Sequence, residues 1–312
     1  MKILFMGTPD FALFSFRALV ESGEDVIGVV TQPDKPKGRG YTLTPPPVKV
    51  YALEQNIPVY QPATLRGEEF AALLEALAPE LIVVAAYGKI LPANVLDYPK
   101  YGCVNVHGSL LPEYRGAAPM QRAIIDGKRE TGITTMMMDV GLDTGDMLLR
   151  EVVTIEPNDN FEDIHDKLGA CGARVLLDTV SRIKNGTLTR TPQDGACATY
   201  AAKIEKSDCV IDFSRTAQAV HDQIRGLSPI PLAFTHTPDG KMLKITASEM
   251  VRPDGANACA GEVLSLDGGR ITVACGTGAV ALLSVLPEGK KRMSAADFIN
   301  GRKIAVGDVL GA

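Results

Sequence analysis

Apolar residues in the first half of the chain come in short continuous blocks, and between the blocks they recur every three or four positions. Residues 2–6 (KILFM) and 26–31 (VIGVVT) are blocks of strand length, and the segment from about Asp10 to Glu21 carries helical spacing, so the chain opens with a βαβ unit. A helix from about Gly67 to Leu77 leads into LIVVAAY, and CVNVH follows as the next strand. ITTMMMD and MLLREVVTI supply further strands, and a long amphipathic helix is expected from about Asn160 to Lys184, opening on the acidic pair Glu162 and Asp163. Strands without polar alternation, separated by helices, predict a mostly parallel sheet covered on both faces.

The pattern changes after Gly186. TLTRTPQDGACATYAAKIEK is polar and irregular and holds Pro192 and Gly195, so residues 187–206 read as a linker. Beyond Lys206 come a helix near Thr216 to Arg225 and the short alternating strands KMLKITASEM, GEVLSLD and RITVACG, separated by Gly and Asp turns. Such spacing in about 100 residues suggests a small OB-like β-barrel. The expected class is therefore α/β: a Rossmann-like catalytic domain over residues 1–186, the linker, and an OB-like domain over residues 207–312.

Composition narrows the setting. With 312 residues and 46% hydrophobic content, the chain suits a globular protein of one large or two medium domains. The longest apolar run, Leu81 to Ala86, falls far short of the roughly 20 residues a spanning helix needs. MKILFMGTPDF begins like a signal peptide but is broken by Gly7 and Pro9, which favours a first strand and a cytoplasmic location without membrane attachment. The six cysteines, Cys103, Cys171, Cys197, Cys209, Cys259 and Cys275, form no CxxC pair and have no metal-like spacing with histidine; reduced, mostly buried thiols and no bound metal are expected. Net charge is −5, which argues against wholesale coating of nucleic acid, yet it is uneven. Residues 206–312 carry 12 Lys and Arg against 11 Asp and Glu, a net of +1, leaving 20 against 26, or −6, for the rest.

Chemistry concentrates in residues 105–116, NVHGSLLPEYRG. Asn105 and His107 lie two apart at the end of a strand, so they share a face, and an amide beside an imidazole can hold and polarise a carbonyl. A histidine after a strand is by itself an ordinary hydrogen-bonding residue. The second segment, DVGLDTGD at residues 139–146, packs two glycines and three aspartates between two strands, and a carboxylate from it placed beside His107 would orient the ring and stabilise its charged form. No GxSxG is present, so direct transfer to an incoming amine fits better than a covalent intermediate. Gly7-Thr8-Pro9 lacks the glycines of a dinucleotide or triphosphate site.

NVHGSLLPEYRG followed by GLDTGD resembles the active-site pair of the folate-dependent formyltransferases, which use 10-formyltetrahydrofolate as donor. The resemblance implies that Asn105, His107 and Asp143 are catalytic and that Ser109, Leu110, Leu111 and Pro112 line the folate site. Residues 31–49, TQPDKPKGRGYTLTPPPVK, hold Lys35, Lys37, Arg39 and Lys49 against one acid, Asp34, in a Gly/Pro-rich segment read as an exposed basic loop. This segment, the MGTPDF start and the C-terminal barrel are similar to the members that act on initiator methionyl-tRNA, so the resemblance covers essentially the whole chain. It implies tRNA contacts through Arg39, Lys35 and Lys37 in the loop and Lys206 at the C-terminal domain, as phosphate contacts would position the acceptor end. A monomer is expected. Rival readings are a sister enzyme that formylates a nucleotide-linked amino sugar and would lack the KPKGRG loop, a noncatalytic folate- or RNA-binding module, and a hydrolase releasing formate.

Overall fold

The computed structural model describes residues 1–37, 42–251 and 258–311, which divide into two compact units. The first comprises Met1–Gly116, Thr131–Val153 and His165–Tyr200, and the second Ala117–Glu130, Thr154–Ile164 and Ala201–Ala312.

In the first unit, β1 (Ile3–Gly7), α1 (Asp10–Glu21) and β2 (Val26–Val30) form the opening βαβ element. A hairpin of β3 (Lys35–Lys37) and β4 (Thr42–Thr44) follows, then α2 (Pro47–Glu54), β5 (Val59–Tyr60), α3 (Glu68–Leu77), β6 (Leu81–Ala85), α4 (Ala93–Leu96), β7 (Cys103–His107) and the two-residue β8 (Arg115–Gly116). After α5 (Pro119–Ile125) of the second unit, β9 (Glu130–Met137) and β10 (Met147–Thr154) complete the sheet, and α6 (Phe161–Asn185) and β11 (Tyr200–Ala201) come next. The start of α6 is set by a reciprocal cap: Asn160 Oδ1 accepts from the N–H groups of Glu162 and Asp163, and Asp163 Oδ2 accepts from Asn160 N–H.

Sheet order is β10-β9-β7-β6-β1-β2-β5. The five strands from β5 to β7 run parallel, and β9 is antiparallel to β7, so the mostly parallel expectation holds with a reversed side. The chain adds β2 and β5 on one side of β1 and then β6 and β7 on the other. The strand order thus switches between β1 and β6, the place where open α/β sheets leave a crevice at their carboxyl ends. Helices cover both faces. On one, Leu4, Met6, Val30, Ile82, Val84 and Cys103 pack against Phe70 and Leu74 of α3 and Val95 and Leu96 of α4. On the other, Phe5 stacks on Phe16 of α1 at 5.1 Å, and α6 comes in so close at Gly172 that a Cβ there would lie 3.1 Å from Val106.

Residues 31–49, expected as an irregular loop, contain the β3–β4 hairpin and the start of α2. Lys49 is not a free cation of that loop. It sits on α2, and its Nζ donates to both carboxylate oxygens of Asp34, at 2.9 and 2.8 Å, and to Gln61 Oε1 at 2.8 Å. The Lys49 ammonium holds the Asp34 carboxyl below its ordinary range.

The second unit adds α7 (Ala217–Gly226), β12 (Ala233–His236), β13 (Met242–Val251), β14 (Val263–Ser265), β15 (Ile271–Ala274), β16 (Ala279–Pro287), β17 (Met293–Ser294) and α8 (Ala295–Asn300). Its sheet runs β12-β13-β16-β15-β14, with β17 on β16, and the neighbours pair antiparallel. Register shifts in β13 around Ala247 mark a bulge, the device that bends a strand into a half-barrel, so the OB-like expectation holds. Val220 and Ile224 of α7 fill its inner face against Ile245, Val263, Ile271, Val280 and Leu282. Glycine at 226 lets α7 approach α5, since a Cβ there would fall 2.8 Å from Ile125. The same helix buries an ion pair, Arg225 Nη2 to Asp222 Oδ1 at 2.6 Å.

Four of the six cysteines are buried, while Cys197 and Cys259 are exposed; all six are free thiols. Burial pushes the Cys103 thiol up to about 12. Among the described residues no helix is long and apolar enough to cross a membrane, and no group of three or more His, Cys, Asp or Glu is placed to hold a metal ion.

Candidate active site

One face of β7 leads from the core to the site. Cys103 belongs to the apolar cluster under α3 and α4, and the period of two carries that face upward through Asn105 to His107. The register is pinned on both sides, with Asn105 opposite Val84 and Met136, and His107 opposite Thr134. Asn105 is half-buried, and its amide makes no hydrogen bond among the described residues. His107 is buried, 5% exposed.

The imidazole is oriented from two directions. Nε2 lies 2.9 Å from the Tyr114 carbonyl, which can only accept, so Nε2 carries a proton. Nδ1 faces Asp143 Oδ2 at 3.7 Å, too long for a hydrogen bond. Asp143 Oδ2 in turn accepts from Gly116 N–H at 2.8 Å. Two residues here hold left-handed backbone, uncommon outside glycine: Tyr114 at φ 58°, and Asp143, a residue type that tolerates it better, at φ 52°. Tyr114 is held by its N–H donating to Thr199 Oγ1 at 2.8 Å, and the next residue, Arg115, donates its N–H to the Thr199 carbonyl at 2.9 Å.

The Asp143 loop divides its acids by task. Asp139 closes the turn, its Oδ1 accepting from Gly141 N–H at 3.0 Å and from Thr144 Oγ1 at 2.6 Å, so Asp143 is left to face the histidine. Gly145 fits only because it lacks a Cβ, which would lie 1.8 Å from the Met137 carbonyl. Gln193 Nε2 donates to the carbonyls of Asp143 at 2.8 Å and Gly145 at 2.7 Å. Its Oε1 accepts from Nε and Nη2 of the buried Arg115, at 3.0 and 2.8 Å.

Of the four residues read as a folate lining, two point inward. Ser109 Oγ donates to the Glu113 carbonyl at 2.6 Å, and Leu111 is wholly buried with Met136 and Met147. Thr134 Oγ1 donates to the Ser109 carbonyl and accepts from Leu111 N–H, which locks this turn. Leu110 and Pro112 are half-buried and offer apolar surface. Lys35 is exposed at the start of β3, and Lys37 ends that strand. Arg39 lies outside the described residues. Lys206 is exposed in the second unit, at the start of a short 3₁₀ turn.

The structure thus brings Asn105, His107 and Asp143 to one place. Tyr114, Gly116, Thr134, Gln193 and Thr199, which support them, escape a reading of the sequence because most act through backbone groups or across long separations. This set offers an amide unengaged among the described residues, a ring nitrogen and a fixed carboxylate at the end of β7, a combination suited to stabilising a carbonyl oxygen while a proton moves.

Comparison with known proteins agrees with this chemistry. Residues 1–180 match the family described as formyl transferase, and residues 203–303 match formyl transferase, C-terminal domain. The chain is 49% identical to a methionyl-tRNA formyltransferase of Citrifermentans bemidjiense, covering 100% of this chain and 96% of that one. It is also 49% identical to one of Pelotomaculum thermopropionicum, covering 100% and 99%. Among solved structures, an N-formyltransferase from Helicobacter canadensis, in complex with folinic acid and dTDP-3-aminofucose, superposes with a TM-score of 0.68 at 20% identity, over 90% of this chain and 98% of that chain. HypX from Aquifex aeolicus in complex with tetrahydrofolic acid gives 0.65 at 17% identity, over 98% of this chain and 48% of that chain, and both show a shared fold. With both halves matched by formyl transferase models and near half of all positions identical to named relatives over its full length, the chain belongs to the methionyl-tRNA formyltransferase family.

Proposed function

We propose that this chain transfers the formyl group of 10-formyltetrahydrofolate to the free amino group of methionine on initiator tRNA, as a cytoplasmic, monomeric enzyme that needs no metal. The observation that carries this reading is the placement of Asn105 and His107 on one face at the end of β7, with the Asp143 carboxylate facing the His107 ring. The methionine amine attacks the formyl carbon, and negative charge grows on the formyl oxygen. Asn105 donates to that oxygen. His107, with Nε2 committed to Tyr114, has Nδ1 for the reacting groups. Asp143, facing Nδ1, stabilises positive charge on the ring and helps take up the proton the amine loses. When the carbon–N10 bond breaks, that proton goes to N10, giving tetrahydrofolate and the formylated amine.

Leu110 and Pro112 supply apolar surface for the folate, with Ser109 and Leu111 shaping the turn that presents it. The basic segment with Lys35, Lys37 and Arg39, and Lys206 on the C-terminal domain, contact the acceptor arm through phosphates. Incubation with radiolabelled formyl-folate and either methionyl initiator tRNA or an amino-sugar nucleotide tests this directly. Label should pass to the tRNA; label on the sugar nucleotide alone, or release as formate, sinks it. Arg39→Ala should raise the KM for tRNA roughly tenfold, the scale of one lost charged contact, with folate affinity by titration unchanged.

A further inference from the structure

We propose that Gln193 is a positioning residue for the reaction, holding the Asp143 loop in the one backbone conformation that sets its carboxylate against His107. The claim rests on the assignment of Asp143 to the reacting centre. Four hydrogen bonds at 2.7 to 3.0 Å converge on this one side chain: its amide hydrogens go to the carbonyls of Asp143 and Gly145, and its carbonyl oxygen takes two N–H groups of Arg115. A glutamine here uses both ends of its dipole in opposite senses, which neither glutamate nor methionine reproduces.

The loop needs such a clamp. Asp143 stands at φ 52°, where an aspartate pays for its backbone, and nothing in the turn chemistry of Asp139 reaches the Asp143 carbonyl. Among the described residues the carboxylate itself has one hydrogen bond, from Gly116. Since Gly116 directly follows Arg115, Gln193 ties together the two segments that meet at Asp143: the loop that carries the acid and the strand that holds it. Arg115 is 5% exposed, and its hydrogen bonds among the described residues end on Gln193, so the amide also satisfies a buried cation. The residue comes from the polar stretch 187–206, which sequence alone marks as a spacer.

Steady-state kinetics on the full-length chain test the proposal. Gln193→Ala should lower kcat roughly 10- to 100-fold, the cost of a misplacement near 1 Å, with KM for folate and tRNA changed less than about threefold. In an Asp143→Asn background the same substitution should cost less than about threefold, because the group it positions is already disabled. If Gln193→Ala does not fold, Gln193→Glu answers in its place: it keeps an acceptor for Arg115 but sets a carboxylate oxygen against two carbonyls, and the same loss of kcat is expected. Near-normal kcat in the folded variant, or equal loss in both backgrounds, overturns the role of Gln193 and leaves the site assignment standing. Normal kcat in Asp143→Asn alone overturns the site assignment and this proposal with it.

Discussion

Two histidines in the first unit stand beside aspartates at nearly the same distance, and they do different things. His107 Nδ1 is 3.7 Å from Asp143, and His165 Nε2 is 3.5 Å from Asp10. His165 lies on α6 with Asp166 at 2.8 Å on its other nitrogen, and the edges of Phe11 and Phe14 pack on its ring. Both acids are open to solvent, with side chains 73% and 65% exposed. Asp10 first, and Asp166 after it, raise the His165 pKa, and His165 lowers that of Asp10. This is an electrostatic staple between α6 and the first turn of α1, with both ring nitrogens committed to carboxylates. At His107 one nitrogen is committed to a neutral carbonyl and the other faces an enclosed acid held by Gly116, on the same strand face as an amide with no partner among the described residues. The two histidine–aspartate pairs therefore differ in what surrounds them more than in the pairs themselves, and the proposed reaction site is the one with groups left to spare.

Removing either of the two polar side chains on the β7 face should break the comparison hardest. His107→Ala and Asn105→Ala are each expected to lower turnover by roughly 10²-fold or more, the scale of a lost oxyanion donor, with an unchanged circular dichroism spectrum. Turnover near normal in either would mean the β7 pair is as structural as the α6 one. Next in size is Gly145→Ala, whose new Cβ would meet the Met137 carbonyl at 1.8 Å and must displace the Asp143 loop; about tenfold lower turnover is expected by the same kinetic assay. The smallest effect belongs to His165→Gln, with turnover within about twofold of normal and only stability altered. A histidine with a raised pKa contributes stability below its ordinary value of 6.5 and loses it as pH rises through the raised value. An aspartate with a lowered pKa contributes above its ordinary 3.8 and loses it on acidification. The staple is thus fully formed between about pH 4 and 6.5. The wild type should exceed His165→Gln in Tm by about 1–2 °C at pH 6, discounted for the exposed partners, and the gap should close by pH 9. A gap that widened at alkaline pH would contradict the pairing.

What was legible from residues alone follows the range of the forces involved. Asn105 and His107 could be placed on one face because a strand repeats every two residues, and the Asp10 to Glu21 helix could be placed because its apolar spacing is local. Asp143 became a partner of His107 only through resemblance, since nothing in the spacing of residues 107 and 143 brings them together. Tyr114 acts through its carbonyl, and a backbone oxygen leaves no mark in the choice of side chain. The central strand β16, AVALLSVLP, escapes the alternation rule because both of its faces carry apolar residues, and such a run suits a buried helix as well as a strand. The β3–β4 hairpin hides in a Gly/Pro-rich segment that scores as loop. Lys49 counts among the loop cations by sequence, and only its geometry reveals that Asp34 and Gln61 already hold it.

The reach of the segment from Gln193 to Thr199 bears on where this protein can be cut. A fragment ending at Gly186 would keep Asn105, His107 and Asp143 and all seven strands of the parallel-dominated sheet. It would lose the side-chain partners of the Tyr114 N–H, the Arg115 guanidinium and the carbonyls of Asp143 and Gly145, at about 1 kcal/mol for each bond. During synthesis, likewise, the Tyr114 N–H lacks its side-chain partner until Thr199 has left the ribosome, long after Asp143 has emerged. A piece that keeps these hydrogen bonds must extend to Thr199, more than ten residues beyond the end of α6.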